Sequence, residues 1–324
     1  MKSYALRVEG TQAVLQPVDA PVPEPGPGQV LLKMHAAGLN RGEFIPGGLI
    51  KGNASKPAGI EGAGEIVKLG SDVTGLQIGT RVMGRCPGAF SEYAVMDVRE
   101  VMPVPAGMSM VGAAAVPLSF LVVHDMLVQQ GRLKAGEWLL VTGVSSGAGV
   151  AALLAAKALG AKVIGTSGSP EKLDKLKALG LDVALNTRAP DFATQVMEAT
   201  GGRGADLVVN TVGGSVFAES IRCMAFEGRM AIVGYVDRQL NAEIDLQALH
   251  VKRLTLFGVS NKQRNAEQRA AGVPAFVEQM LPAFADGRIR PLVDRVFPFD
   301  ELPAAQAYME ANLHLGKIVL QIAA

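Results

Sequence analysis

Cysteine is nearly missing from this chain: Cys86 and Cys223 are its two, in 324 residues. Two thiols cannot build a disulfide framework or a zinc-ribbon spacing, and their scarcity points to a reducing, cytoplasmic compartment. Clustered charge is missing as well. Lys and Arg number 31 against 30 Asp and Glu, a net charge of +1, with no basic block. Nucleic acid is therefore not expected as a partner, because phosphate binding needs grouped cations. Long apolar runs are also absent. The most membrane-like stretch, Met110 to Val128, is interrupted by Pro117, Ser119, His124 and Asp125, so no membrane span is expected. The opening MKSYALRVEG has no apolar core of the kind a secretory signal uses.

What is there is globular. Hydrophobic residues make up 49% and charged residues 19%, and the length allows two domains. Residues up to about 116 look β-rich, with apolar clusters at Tyr4–Val8, Val30–His35, Glu65–Leu69, Ile78–Met83 and Phe90–Met96. Gly- and Pro-rich turns separate them, and PVPEPGPG (Pro21–Gly28) must be an extended loop. Short strands at this spacing predict a small barrel. From Trp138 the rhythm changes. Apolar runs at Leu139–Val141, Val163–Gly165, Val183–Leu185, Leu207–Val209, Met230–Val233 and Leu254–Phe257 alternate with helical segments. That alternation predicts a doubly wound parallel sheet. After Ser260 it stops. Ala275–Ala285 and Leu302–Met309 read as helices, and Lys317–Ile322 as a last strand with no place in that sheet.

The stretch LLVTGVSSGAGVAALLAAKALGAKVIGTS (Leu139–Ser167) joins strand, small-residue turn, helix and strand. A dinucleotide pyrophosphate binds at such a turn, where helix N–H groups and the helix dipole favour negative charge. Ser146, Gly147, Ala148 and Gly149 are the candidate contacts, with Ser145 before them. The strict G-x-G-x-x-G does not fit, because its glycine slots hold Val144, Ser146 and Gly149; an ordinary tight turn is the alternative. NAD binders place a carboxylate at the end of the second strand. Here stands Ser167, with Lys172 beyond it and no acid between Ala161 and Pro170. A hydroxyl and an ammonium suit a 2′-phosphate, so NADPH is the expected cofactor. The plainer reading of Lys172 is a solvated first-turn helix residue.

The whole chain resembles the zinc-independent quinone oxidoreductase (zeta-crystallin-like) family of medium-chain dehydrogenases/reductases. The resemblance rests on AAGLN (Ala36–Asn40), GIEGAGEIVKLGSDV (Gly59–Val73), GTRV (Gly79–Val82), FSEYAV (Phe90–Val95) and AAAVPLSF (Ala113–Phe120). It continues through GGRGADLVVNTVGG (Gly201–Gly214), GRMAIVG (Gly228–Gly234) and GKIVL (Gly316–Leu320). It implies an α/β fold of two parts: a GroES-like β-barrel catalytic domain from residues 1–116 and 262–324, and a Rossmann doubly wound parallel sheet domain from 117–261. It also implies a homodimer through the last Rossmann strand, near Leu254–Ser260. Zinc-containing relatives carry metal ligands at positions matching Asn40, Ile60–Glu61 and Leu118, and none of these is Cys or His. Zinc needs three or four N or S ligands, and the four His residues are scattered, so no metal is expected.

Without a Lewis acid the chemistry suits electron-poor acceptors. The resemblance implies NADPH-dependent, metal-free reduction of quinones. Reduction of a 2-enoyl thioester or alkenal double bond is the alternative, and an NADPH-binding regulatory protein without turnover is a second. Asn40 takes the position of a polar residue near the nicotinamide; a loop Asn bonding its own backbone is the competing reading. Implied cofactor contacts are Thr187, Val212, Val233–Gly234–Tyr235, Phe257–Gly258–Val259 and Lys317, though Lys317 equally reads as a surface strand residue. Two departures stand out. No Tyr lies between Arg41 and Pro57, where relatives place a proton donor, and Thr187 replaces a family Tyr. The proton source is left without a residue. Tyr93, Phe44 and Phe90 are expected in the core.

Overall fold

The computed structural model describes residues 1–9, 12–44 and 55–323. They form two compact units, residues 122–263 and residues 1–121 with 264–324.

The unit of residues 122–263 holds a six-stranded sheet. Its order is Val183–Asn186, Lys162–Ser167, Trp138–Thr142, Ala205–Asn210, Met224–Ile232 and Thr255–Gly258, and every pairing is parallel. This is the doubly wound arrangement. The two central strands, Trp138–Thr142 and Ala205–Asn210, are buried almost throughout, as expected of strands covered on both faces. That is why they read as continuous apolar runs. The helix Gly147–Ala158 is buried from Gly149 to Ala156; its alanines allow neighbours to approach on all sides. At the other edge, the buried Arg229 guanidinium donates to the carbonyls of Gly131, Arg132 and Asp206 and to Glu137. Those bonds account for the polar residue inside the apolar run after Gly228.

The other unit contains a seven-stranded sheet in the order Val293–Pro298, Lys317–Gln321, Gln29–Gly38, Glu61–Leu69, Arg81–Arg85 and Met102–Pro103, with Tyr93–Asp97 also pairing with Gln29–Gly38. A small sheet joins Gln12–Asp19, Lys2–Glu9 and Lys56–Pro57. The last strand, out of place in the parallel sheet, pairs antiparallel with Gln29–Gly38 through Val319–Gly38 and Leu320–Ala37. Phe44, Phe90 and the aliphatic faces of these strands form the core, while Tyr93 is half-buried.

Three local expectations need correction. The strand expected at Glu65 begins at Glu61. Its Gly62 is an interior strand residue, where a Cβ would lie 2.7 Å from the Ala36 carbonyl oxygen; the glycine serves close strand approach rather than a turn. The helix expected over Ala275–Ala285 is two, Val273–Gln279 and Leu281–Ala285, because Pro282 removes a donor. The strands Gln12–Asp19 and Val293–Pro298 have no contrasting periodicity and were not foreseen. No helix among the described residues is long and apolar enough to cross a membrane.

The turn before Gly147–Ala158 is closed too tightly for a side chain at Gly149. A Cβ there would sit 2.6 Å from the Gly143 carbonyl oxygen and 2.7 Å from that of Val144. Both obstacles are backbone, so Gly149→Ala is expected to destabilise by about 1–3 kcal/mol. Thermal denaturation checks this, and an unchanged midpoint would mean that the turn opens freely.

Candidate functional site

In the unit of residues 122–263 the strand ends converge on one edge. Ser146 caps the helix Gly147–Ala158, its Oγ accepting from the Gly149 N–H at 3.1 Å. Gly147 and Ala148 are thus the first helical residues, whose N–H groups have no intrahelical acceptor. Ser145 Oγ lies 3.1 Å from Ser167 Oγ, tying the turn to the end of the neighbouring strand. The Asn210 side chain shapes the next crossing: its Oδ1 accepts from the N–H groups of Val212 and Gly213 at 3.0 and 2.9 Å. Val233, Gly234 and Tyr235 follow the strand Met224–Ile232, and the Val233 N–H donates to the Asn210 carbonyl at 3.0 Å. Phe257 and Gly258 end the edge strand, and the Val259 N–H donates to the Ile232 carbonyl at 3.2 Å. Tyr235 is half exposed, with the Lys262 ammonium 5.8 Å from its ring centre. The carboxyl ends of parallel strands are where ligands bind in such sheets. A half-buried cap, small residues and a close-packed Gly149 fit a pyrophosphate.

Ser167 is buried at the end of its strand, and its Oγ accepts from the Ser169 N–H at 3.3 Å. Ser169 caps the helix Pro170–Lys177, which places Lys172 in the first turn. Thr187 Oγ1 is engaged in its own loop, donating to Asp191 at 2.6 Å. The residue that sequence reasoning passed over is Arg188. Its exposed guanidinium packs so closely on Gly168 that any Cβ there would collide with it. No ion-pair or hydrogen-bond partner of Arg188 occurs among the described residues. A guanidinium beside Ser167 presents the planar fork that suits a phosphate.

The other unit brings Asn40 and Lys317 together. Lys317 begins its strand buried, not at the surface, and forms an ion pair with the fully buried Glu61, Nζ to Oε1 2.5 Å. The same ammonium donates to Asn40 Oδ1 at 2.6 Å and to Ser119 Oγ at 3.4 Å. Asn40 Nδ2 donates to Glu61 Oε1 at 2.7 Å and to Glu43 Oε1 at 2.9 Å. The Asn40 backbone N–H adds a bond to Glu43 Oε1 at 3.0 Å, and the Leu118 N–H donates to Glu61 Oε2 at 2.6 Å. Asn40 therefore does not bond its own backbone. Both its amide hydrogens and all three of the ammonium's are committed to protein partners. Gly38 makes room for this: a Cβ there would lie 2.7 Å from Glu61 Oε1 and 2.9 Å from Lys317 Cε. Of the positions that match zinc ligands in relatives, Asn40 and Glu61 bond the Lys317 ammonium and Leu118 bonds Glu61 through its backbone. No group of three or more His, Cys, Asp or Glu among the described residues could hold a metal.

Glu43, three residues past Asn40 in the 3-10 turn Arg41–Phe44, was not singled out from the sequence. Its Oε2 is buried with no partner among the described residues. Burial, with Glu61's charge adding, pushes the Glu43 carboxyl up to about 8, against the opposing pull of its bonds from Asn40 and the charge of Lys317. The nearby Lys56 ammonium is pulled down by burial.

Residues 26–106 match the family described as alcohol dehydrogenase GroES-like domain, and residues 147–275 the family described as zinc-binding dehydrogenase. A zinc-type alcohol dehydrogenase-like protein of Schizosaccharomyces pombe is 30% identical, over 95% of this chain and 95% of its own. A phenolphthiocerol/phthiocerol polyketide synthase of Mycobacterium tuberculosis is 30% identical over 91% of this chain, which spans 14% of that protein's length. Among solved structures, a mycobacterial protein complexed with NADPH is 27% identical with a TM-score of 0.86, covering 99% of this chain and 100% of its own. The quinone oxidoreductase of Pseudomonas syringae is 28% identical with a TM-score of 0.86, covering 99% of both chains. The CurK enoyl reductase is 26% identical with a TM-score of 0.81, over 98% of this chain and 99% of its own.

A carboxyl whose folded pKa lies above its unfolded value costs stability as pH rises. The cost begins above the ordinary glutamate range, where the unfolded chain ionises first, and is complete once pH passes about 8. Glu43→Gln removes the titration. The melting temperature of the variant relative to the parent should climb from pH 5 toward about 8 and then level off. A gap that is flat with pH would show that Glu43 ionises normally.

Proposed function

The chain belongs to the medium-chain dehydrogenase/reductase family, and from that premise we propose that it is an NADPH-dependent, metal-free reductase of quinones. When bound, NADPH supplies a hydride. Ser146, Gly147, Ala148 and Gly149 hold the pyrophosphate through the helix N-terminus. Ser167, Arg188 and Lys172 take the 2′-phosphate, with Thr187 shaping the adjoining loop. The segments at Val212, Val233–Gly234–Tyr235 and Phe257–Gly258–Val259 line the rest of the cofactor's length. The observation that carries the cofactor reading is the Arg188 guanidinium against Gly168, without an ion-pair partner among the described residues, at an end of the strand with no NAD-selecting carboxylate. The mycobacterial relative complexed with NADPH supports it.

The acceptor follows from the charge cluster. With Lys317 ion-paired to Glu61 and bonded to Asn40 and Ser119, the described residues offer a fixed polar cluster and no metal-ligand group. Such a site suits acceptors that are already electron-poor, and two of the solved relatives are named quinone oxidoreductases. Asn40 and Lys317 act here as one unit that orients and polarises, rather than as separate cofactor contacts. The second reading, reduction of a 2-enoyl thioester, draws on the polyketide synthases and enoyl reductases among the relatives. The lack of Tyr between Arg41 and Pro57 weighs against it. The third reading, a regulatory NADPH-binding protein, has no basic patch to support it. Two buried free cysteines, both pushed up to about 12 by burial, fit a reducing cytoplasm. The outer edge of Thr255–Gly258 pairs with no other strand among the described residues and would take the same strand of a second copy.

NADPH oxidation followed with a short quinone and with a crotonyl thioester separates the first two readings; turnover of the thioester alone would overturn the choice of quinone. Arg188→Ala should weaken NADPH about tenfold to a hundredfold, the worth of a charge-assisted hydrogen bond, and leave NADH unchanged. Equal losses for the two cofactors would remove Arg188 from the phosphate site. Sedimentation should give a dimer, and a monomer at micromolar concentration would dispose of the edge pairing.

A further inference from the structure

Two crossings stand side by side at the carboxyl edge of the parallel sheet. One, residues 211–215, leaves the strand Ala205–Asn210; the other, residues 233–245, leaves Met224–Ile232 and holds neither helix nor strand. So long a stretch without regular structure is uncommon inside a packed unit and is as a rule a functional loop. Val236, Arg238, Gln239 and Leu240 are exposed in it, so little apolar burial holds it in place. The Asp237 carboxylate joins the two crossings. Its Oδ2 accepts from the Ser215 N–H at 2.8 Å and from the Ser215 hydroxyl at 2.6 Å, and its Oδ1 accepts from the Gln239 N–H at 2.9 Å. Backbone bonds run alongside: the Asp237 N–H donates to the Val212 carbonyl at 3.1 Å, and the Gly214 N–H to the Gln239 carbonyl at 3.0 Å.

The crossings fit closely. Gly213 has φ +129° and ψ −147°, a region that glycine alone occupies readily, and a Cβ there would collide with the Asp237 carboxylate. At Gly214 a Cβ would lie 2.8 Å from the Asn241 carbonyl oxygen and 2.9 Å from that of Gln239. From the strand side the first crossing is held by Asn210, whose Oδ1 accepts from the Val212 and Gly213 N–H groups. The first crossing is thus held between a strand-end amide and a carboxylate of the neighbouring crossing. Partial burial opposes the charge on Asp237, and the bonds from Ser215 and Gln239 outweigh it, holding the carboxyl below the ordinary aspartate range. An ionised acceptor makes each of those bonds charge-assisted, about twice as strong as a neutral one.

We propose that Asp237 is a positioning residue for the dinucleotide: it fastens the crossing at Val212 to the one that carries Val233–Gly234–Tyr235 before the cofactor arrives, so that both meet it in the arrangement that binds. This rests on the cofactor reading above, which assigns both segments to the cofactor's length. The carboxylate is turned to donors of the protein itself, so it acts through the crossings and not by contact. Its effect is one of populations. Where only a fraction of molecules hold the competent arrangement, the apparent Kd rises by the reciprocal of that fraction. Removing the carboxylate lowers the fraction. Ser167 and Arg188, assigned to the 2′-phosphate, belong to the ends of two other strands, so the loss falls equally on NADPH and NADH. That separates Asp237 from Arg188, whose loss falls on NADPH alone.

Amide hydrogen exchange in the cofactor-free protein tests the latch, and nucleotide titration tests its role. In Asp237→Ala the Ser215 and Gln239 amides should exchange about tenfold faster than in the parent. Unchanged exchange would show that the crossings hold together without the carboxylate, and the inference falls whatever the chain binds. In titrations Asp237→Ala should weaken NADPH and NADH by the same factor, about tenfold, the mark of a competent fraction of about one in ten. Asp237→Asn, which keeps one acceptor oxygen, should recover part of both losses. Saturating NADPH should return exchange in Asp237→Ala toward the parental rate, because what the arrangement does for the cofactor the cofactor must do for the arrangement. Faster exchange with parental Kd for both nucleotides makes the latch structural only and overturns the role, as does a loss confined to NADPH. If the parent itself binds neither nucleotide, the cofactor reading fails and takes the positioning role with it, while the exchange rates still report whether the latch exists. Circular dichroism of both variants, compared with the parent, establishes that the fold is retained.

Discussion

The buried ion pair between Lys317 and Glu61 is the constraint on which its unit is built. Both partners are buried, so neither can be lost singly: breaking such a pair from one side costs about 3–5 kcal/mol. The pair fixes where the last strand must lie, because Lys317 is its first residue and Glu61 opens a strand two positions away in the sheet. Asn40 is then drawn in, bonded to the ammonium on one side and to two carboxyl groups on the other. Gly38 has to be glycine for the two charged side chains to meet. What the pair contributes is one specified arrangement rather than raw stability, since an apolar replacement of similar volume can be as stable.

Within that arrangement the number of charges matters more than their identity. Two carboxyl groups accept from the one Asn40 amide, and one of them, Glu43, has a second oxygen with no partner among the described residues. The amide of Asn40 is saturated by its neighbours and behaves as a bracket. The polar residue that resemblance singles out for contact with a nicotinamide also stands between charged groups.

The other unit works by different means. Its strands are apolar and buried, its turn is built from small residues, and its polar groups sit at the carboxyl ends of the strands. Two neighbouring strands bring Arg188 against Gly168, the residue after Ser167. One ends in Ser167, and Arg188 follows the end of the next and reaches back over Gly168.

Much of this was legible in the residues. Strand and helix periodicity is carried by neighbours a few positions apart, so the run from Trp138 to Phe257 announced the parallel sheet. Likewise, the Ser145–Gly149 stretch announced the capped turn, because caps and tight turns are local chemistry. The absence of an acid near Ser167 was visible for the same reason. The strands at Gln12–Asp19 and Val293–Pro298 were not, since their side chains do not alternate cleanly. Nor was the charge cluster. Asn40 and Lys317 are 277 positions apart, and Lys317 read equally well as a surface residue until the antiparallel pairing with Gln29–Gly38 buried it. Glu43 looked like one acid among 30. The sequence by itself determined the two kinds of sheet and the small-residue turn before Gly147–Ala158, each a matter of residue type and short spacing. Only the tertiary structure decided which charges meet and which lose their water, because desolvation exists only once the chain has closed around the group.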